Sequence, residues 1–96
     1  MNKKELTLKD VEESLNFTPE EKAQIQLEMD IIKATIEARK NCKISQRDLA
    51  KKSGLKQPVI ARIESRARSP RVYTLLRMLY PMGYTLKVVP LSKNKK

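Results

Sequence analysis

Apolar positions along this chain recur at helical spacing almost throughout. In residues 7–15, TLKDVEESL, Leu8, Val11 and Leu15 fall at i, i+3 and i+7 and predict a short amphipathic helix with Thr7 as its N-cap. Asn16 and Phe17 break that pattern. Thr18-Pro19-Glu20-Glu21 then reads as a helix start: Thr18 caps, Pro19 takes the first helical position, and Glu21 stands three residues on as in a capping box. This helix is expected to run to about Asn41 with two apolar stripes, one of Ile31, Ala34, Thr35 and Ala38, the other of Ile25, Met29, Ile32 and Ile36. Two stripes offer more contact surface than one core face needs, so the second is expected to meet the 7–15 helix, a dimer mate or another protein.

Three shorter helices are predicted downstream. Ser45 opens QRDLAKKS, which Gly54 ends; another covers Gln57 to about Ser65, with Pro58 tolerated in its first turn. After a polar loop from Arg66 to Ser69 and Pro70, the last runs from about Val72 to Pro81, carries Leu75, Leu76 and Leu79, and is closed by Gly83. The exception to helical spacing is Tyr84–Val89, where Tyr84, Leu86 and Val88 alternate with Thr85, Lys87 and Val89, a strand pattern. A lone strand can neither satisfy its backbone nor hide its apolar face. With no second strand evident, its expected partner is the same strand of a second subunit, through Tyr84, Leu86, Val88 and Val89; the other reading is the sheet edge of another protein.

The pattern therefore predicts a mainly α protein. It divides into an N-terminal arm (1–22), a helical domain (23–83), a dimerisation strand (84–91) and a solvated, disordered basic tail (92–96). Ninety-six residues suit one domain, or one domain with an extension, and the single Phe and absent Trp make its core aliphatic. Apolar runs of two to three residues fall far short of the roughly 20 needed to span a bilayer, and MNKKELTLKDVEES lacks the apolar stretch of a secretory signal. One cysteine, Cys42, excludes an intrachain disulfide framework and fits a reducing, cytoplasmic setting.

His is absent, which removes His-based acid–base pairs, Ser–His and Cys–His nucleophiles and ordinary zinc sites. Glu12, Glu13, Glu20 and Glu21 are the remaining candidates for paired catalytic carboxylates, but helix-start preference accounts for Glu20 and Glu21 without chemistry. No catalytic residue, metal or cofactor is expected. Charge points elsewhere. Residues 1–30 hold four basic and eight acidic residues, a balance of −4; residues 31–96 hold seventeen and three, a balance of +14. An acidic arm on a strongly basic domain suggests two different partners, and the basic part has the footprint of a nucleic-acid binder.

Residues 46–65, QRDLAKKSGLKQPVIARIES, give that footprint a mechanism. The small Ala50 lets two helices approach, Gly54 can take the positive φ of a tight turn, and Leu49, Leu55, Ile60 and Ile63 form the apolar seam. These spacings are those of a DNA-binding helix-turn-helix, whose second helix enters the major groove. The residues expected on its outward face are Gln57, Pro58, Val59, Ala61 and Arg62: Gln can pair with adenine, Arg with guanine, and Val59 or Ala61 can meet a thymine methyl. Ser45, Gln46, Lys56, Arg66, Arg68 and Ser69 are the expected phosphate contacts, which orient the domain without reading sequence.

The stretch ISQRDLAKKSGLKQPVIARIESRARSP resembles the lambda-repressor-like (xenobiotic response element) family, over about Ile31 to Met82. The resemblance implies that Gln46 and Gln57, opening the two motif helices, contact phosphate or base. Three positions depart from the family pattern: Lys56 replaces a capping Ser or Thr, while Lys43 and Arg66 stand where Gly is frequent, each an expected site of left-handed backbone. With the following SPRVYTLLRMLYPMGYTLKVVPL, the chain looks like the HigA antitoxins of toxin–antitoxin modules. That resemblance implies a homodimer that binds a palindromic operator of its own operon and also inhibits a basic, RelE/HigB-type, mRNA-cleaving toxin. The acidic arm complements such a toxin, and Leu8, Val11, Glu12, Leu15, Phe17, Ile25, Met29, Ile32 and Ile36 are the expected docking residues. The competing reading is a phage-repressor-type regulator with no toxin. A nucleic-acid-processing enzyme would have to work from carboxylates alone, and an RNA-binding module lacks aromatics for base stacking.

Overall fold

A computed structural model describes residues 16–91. Four helices carry the fold: α1 (Pro19–Asn41), α2 (Gln46–Ser53), α3 (Gln57–Glu64) and α4 (Val72–Leu79), the last running into a 3₁₀ turn over Tyr80–Met82. The fold is mainly helical, and no strand forms among the described residues. The helix predicted for residues 7–15 and the tail 92–96 lie outside the described residues.

The caps follow the sequence closely. Thr18 and Glu21 form the expected capping box at the start of α1, with Glu21 N–H donating to Thr18 Oγ1 at 3.1 Å and Thr18 N–H to Glu21 Oε1 at 2.9 Å. Ser45 and Asp48 form a second box on α2, and Gly54 ends that helix at φ 77°. Lys56 leaves α3 without a side-chain cap. Lys43 and Arg66 hold φ of 59° and 63°, the left-handed backbone expected where Gly is frequent.

The core gathers Ala38 from α1, Leu49 from α2, Ile60 and Ile63 from α3, and Leu75, Met78, Leu79 and Met82 from the C-terminal helices. Ile31, Ile44, Ala50, Leu55, Val59 and Leu86 pack around it. Met78 and Met82 complete it, both buried, with unbranched side chains that adapt readily to an aliphatic core.

Two expectations change. The buried face of α1 is Ile32, Thr35 and Ala38, so it draws on both predicted stripes. Ile32, expected to face a toxin, is 1% exposed and closed to a partner in this conformation. The reason is angular: Ile32 lies only about 60° round the helix from Thr35, so one wide face takes in both. Thr35 pairs its own hydroxyl by donating to the Ile31 carbonyl at 2.7 Å.

The second change concerns residues 84–91. A strand requires a ladder, and a single chain supplies no partner for Tyr84–Val89. Leu86 is not left on an outward face with Val88: it is half-buried against the chain's own core, beside Ile31, Ala34 and Thr35 of α1, and Tyr84 lines the same cavity. Val88, Val89 and Leu91 are left exposed.

Candidate nucleic-acid interface

α2, the turn at Gly54 and α3 make a helix-turn-helix unit, and α1 and α4 brace it. Within α3, Ile60 and Ile63 point into the core. That fixes the opposite face: Gln57, Pro58 and Arg62 are exposed and Ala61 is half-exposed. Val59 is half-buried against the core and offers a groove only part of its side chain. Lys56, Arg66, Arg68 and Ser69 are all exposed at the two ends of α3 and in the loop beyond it.

Ser45 and Gln46 are less free. The Ser45 hydroxyl accepts the Asp48 N–H at 3.0 Å, and Asp48 accepts the Ser45 N–H at 3.1 Å. The backbone hydrogen bond from Ser45 holds the Asp48 carboxyl below its ordinary range, aided by the Ser45 side chain and by the charges of Lys51 and Lys52. Gln46 is half-buried, and its Nε2 donates to Glu64 Oε1 at 3.0 Å. Gln57 Nε2 in turn donates to Gln46 Oε1 at 3.4 Å. The residues that open α2 and α3 therefore touch each other through their amides.

Behind them lies an ion pair that the sequence reading did not single out. Arg39 Nε donates to Glu64 Oε2 at 2.7 Å and its Nη2 to Glu64 Oε1 at 2.9 Å, with the two side chains 14% and 7% exposed. The hydrogen bond to Glu64 raises the Arg39 pKa above its ordinary value, although burial acts against it. Arg39 Nη1 also donates to the Ile44 carbonyl at 2.9 Å. One guanidinium thus ties α1 to the loop before α2 and to the end of α3. Its signal in the sequence was helical: Glu64 stands four residues after the buried Ile60, and Arg39 four after the buried Thr35.

Arg77 was also missed. From α4 its Nε and Nη2 donate to the Ser53 carbonyl at 3.1 and 2.8 Å, and its Nη1 donates to the Tyr73 hydroxyl at 3.1 Å. It satisfies a carbonyl at the C-terminus of α2 where a cation is favoured. It also lies close against Gly54, so the turn between the motif helices is held from α4.

Of the remaining residues expected to dock a partner, Phe17, Ile25, Met29 and Ile36 are half-buried, and Leu8, Val11, Glu12 and Leu15 lie outside the described residues. Among the described residues no helix is long and apolar enough to cross a membrane.

Comparison with known proteins places this geometry. Residues 36–87 match a helix-turn-helix family model, HTH_3. An uncharacterized HTH-type transcriptional regulator of Haemophilus influenzae is 45% identical over 75 residues, 78% of this chain and 76% of that protein. The antitoxin HigA1 of Mycobacterium tuberculosis is 32% identical over 59 residues, which cover 62% of this chain and 40% of the relative. A solved chain from a toxin–antitoxin module of Streptococcus pneumoniae superposes with a TM-score of 0.64 at 42% identity, covering 91% of this chain and 96% of that one.

Proposed function

The chain belongs to the helix-turn-helix family, and we propose that it is the DNA-binding antitoxin of a toxin–antitoxin module. The observation that carries the DNA-binding half is the outward row of Gln57, Pro58, Ala61 and Arg62 on α3, flanked by exposed Lys56, Arg66, Arg68 and Ser69. It supplies base-reading groups in the middle and phosphate-binding groups at both ends. The antitoxin half is supported by likeness to HigA1 and to the pneumococcal chain.

In this reading two copies bind a palindromic operator, with half-sites about 34 Å apart, and repress their own operon. The exposed Tyr84, Val88 and Val89 contribute to the dimer. Residues 1–36 occlude a basic ribonuclease of the RelE/HigB type: their arm carries the acidic residues, and Ile25, Met29 and Ile36 flank it on α1. Inhibition is by occlusion, without chemistry on the antitoxin's side.

The test pairs this chain with the product of the adjoining reading frame. The expected outcome is growth arrest by that product alone, rescue by co-expression of this chain, and loss of rescue when residues 1–36 are removed. A chain that binds its own promoter while the neighbour is neither toxic nor bound would instead be a stand-alone repressor.

A further inference from the structure

The first half of α1 carries apolar side chains that the core does not account for. Ile25 and Met29, one turn apart, are half-buried, yet neither is among the described residues that form the core or pack around it. Leu27, on the opposite side of the same stretch, is 59% exposed, and Ala23, Gln24 and Gln26 are exposed with it. Cover is therefore confined to one side of the helix and comes from outside the main core. Phe17, just before the Thr18 cap, is half-buried as well.

The path of the chain into α1 points to what covers that side. Asn16 holds φ 54°, the left-handed geometry commonly taken by the residue just past a helix end, where Asn is favoured after Gly. Thr18 is already the cap of α1. Three residues, Asn16 to Thr18, thus separate α1 from the amphipathic stretch 7–15, and helices joined by so short a loop lie antiparallel, side by side. Nine helical residues are about 14 Å long, enough to run from the level of Pro19 to that of Leu27.

We propose that residues 7–15 seat their Leu8, Val11 and Leu15 row on Phe17, Ile25 and Met29 of the same chain, closing a helical hairpin. In such a hairpin, residues equally far on either side of Phe17 come level. Leu8 then faces Ile25, and Met29 leans back toward both, because helical side chains tilt toward the N-terminus. Glu12 and Lys22, each five residues from Phe17, also come level. Each borders its own apolar row on the side that antiparallel packing brings together, so opposite charges meet there. The short loop favours the chain's own arm over that of a second copy. Seated this way, the arm turns Asp10 and Glu13 outward. A basic toxin then meets an acidic edge already held in place; this last step alone rests on the antitoxin reading.

The experiment uses the full chain with Cys42→Ser, which removes the native thiol. Glu12→Cys/Lys22→Cys is treated with a short bifunctional thiol reagent beside Asp10→Cys/Lys22→Cys, and thermal unfolding checks that both fold. The 12/22 pair is expected to link within one chain at least about fivefold faster than the 10/22 pair, since only the first pair shares a flank. Equal rates, or products that join two chains, overturn the seat. Hydrogen exchange gives a second reading without cysteines. Val11→Asp is expected to speed exchange at the amides of residues 25–29 at least about tenfold while leaving α2 and α3 unchanged. Unchanged exchange at residues 25–29 overturns the seat as well. For the acidic edge, Asp10→Asn/Glu13→Gln is expected to weaken binding to the adjoining frame's product at least about tenfold. Undiminished binding overturns that edge. A product that wild type does not bind at all overturns the antitoxin reading, and the cross-linking result then stands by itself.

Discussion

Arg39 and Glu64 lie 25 positions apart in sequence and meet through two hydrogen bonds of 2.7 and 2.9 Å. Their contact joins the C-terminal end of α1 to the last residue of α3. Because the pair is largely shielded from water, each charge depends on the other. Removing one leaves the other uncompensated, whereas removing both does not.

Glu64→Ala is therefore expected to destabilise the domain by about 3 kcal/mol or more, since it strands a shielded guanidinium. Replacing both partners by apolar residues of similar volume, Arg39→Met with Glu64→Leu, should recover most of that loss. Urea unfolding of the two single variants and the double variant measures the coupling. A double variant as unstable as the sum of the singles would show that the pair does not act as a unit.

Gly54 is required for two separate reasons. Its φ of 77° costs a side-chain-bearing residue about 1–2 kcal/mol. A Cβ there would also collide with the Arg77 guanidinium and push it off the Ser53 carbonyl. Gly54→Ala should cost more than the backbone term alone in the wild-type background. In an Arg77→Ala background the collision is gone, and only the backbone part, about 1–2 kcal/mol, should remain. The difference between the two backgrounds, read from thermal unfolding, isolates the contact.

The Asp48 carboxyl has its pKa lowered in the folded chain, chiefly by the Ser45 backbone N–H. A carboxyl of this kind stabilises the fold at pH values above its unfolded pKa, about 3.9, and loses that contribution as pH falls through the lower folded value. Asp48→Asn keeps a carbonyl acceptor but removes the charge. Wild type should be the more stable of the two at neutral pH, and the gap should close as the solution is acidified below about pH 4. Parallel unfolding curves from neutral to acid pH test this; a gap that persists unchanged into acid would exclude the carboxylate as its source.

Arg62 and Arg68 are expected to contribute differently to DNA binding. Arg62 stands on the outward face of α3, and Arg68 lies in the loop beyond it. Arg62→Ala should cost about 1–3 kcal/mol on the preferred site and relax the sequence preference at one position. Arg68→Ala should weaken binding evenly across sequences and lower the slope of log affinity against log salt by about one. Titrations at several salt concentrations, on preferred and scrambled duplexes, distinguish the two.

Much of this protein could be read in its sequence because it is written in local signals. A helix start needs a hydroxyl and a carboxylate three residues apart, and Thr18/Glu21 and Ser45/Asp48 supply them. A tight turn needs a residue free to take positive φ, and Gly54 marks it. The spacing of Leu49, Ile60 and Ile63 set the crossing of α2 and α3, and with it the outward row from Gln57 to Arg62. What the tertiary structure alone decided is which distant groups meet. Periodicity placed Ile32 among four similar residues of a helix, but only the packed helix shows it turned inward. Leu86 fits a strand pattern equally well facing out or in, and the core of the same chain claimed it. Arg39–Glu64, Arg77–Ser53 and the amide link from Gln46 to Gln57 join residues 11 to 25 positions apart. No local rule encodes such pairs, because a long polar side chain has many possible partners until packing excludes water and leaves one within reach.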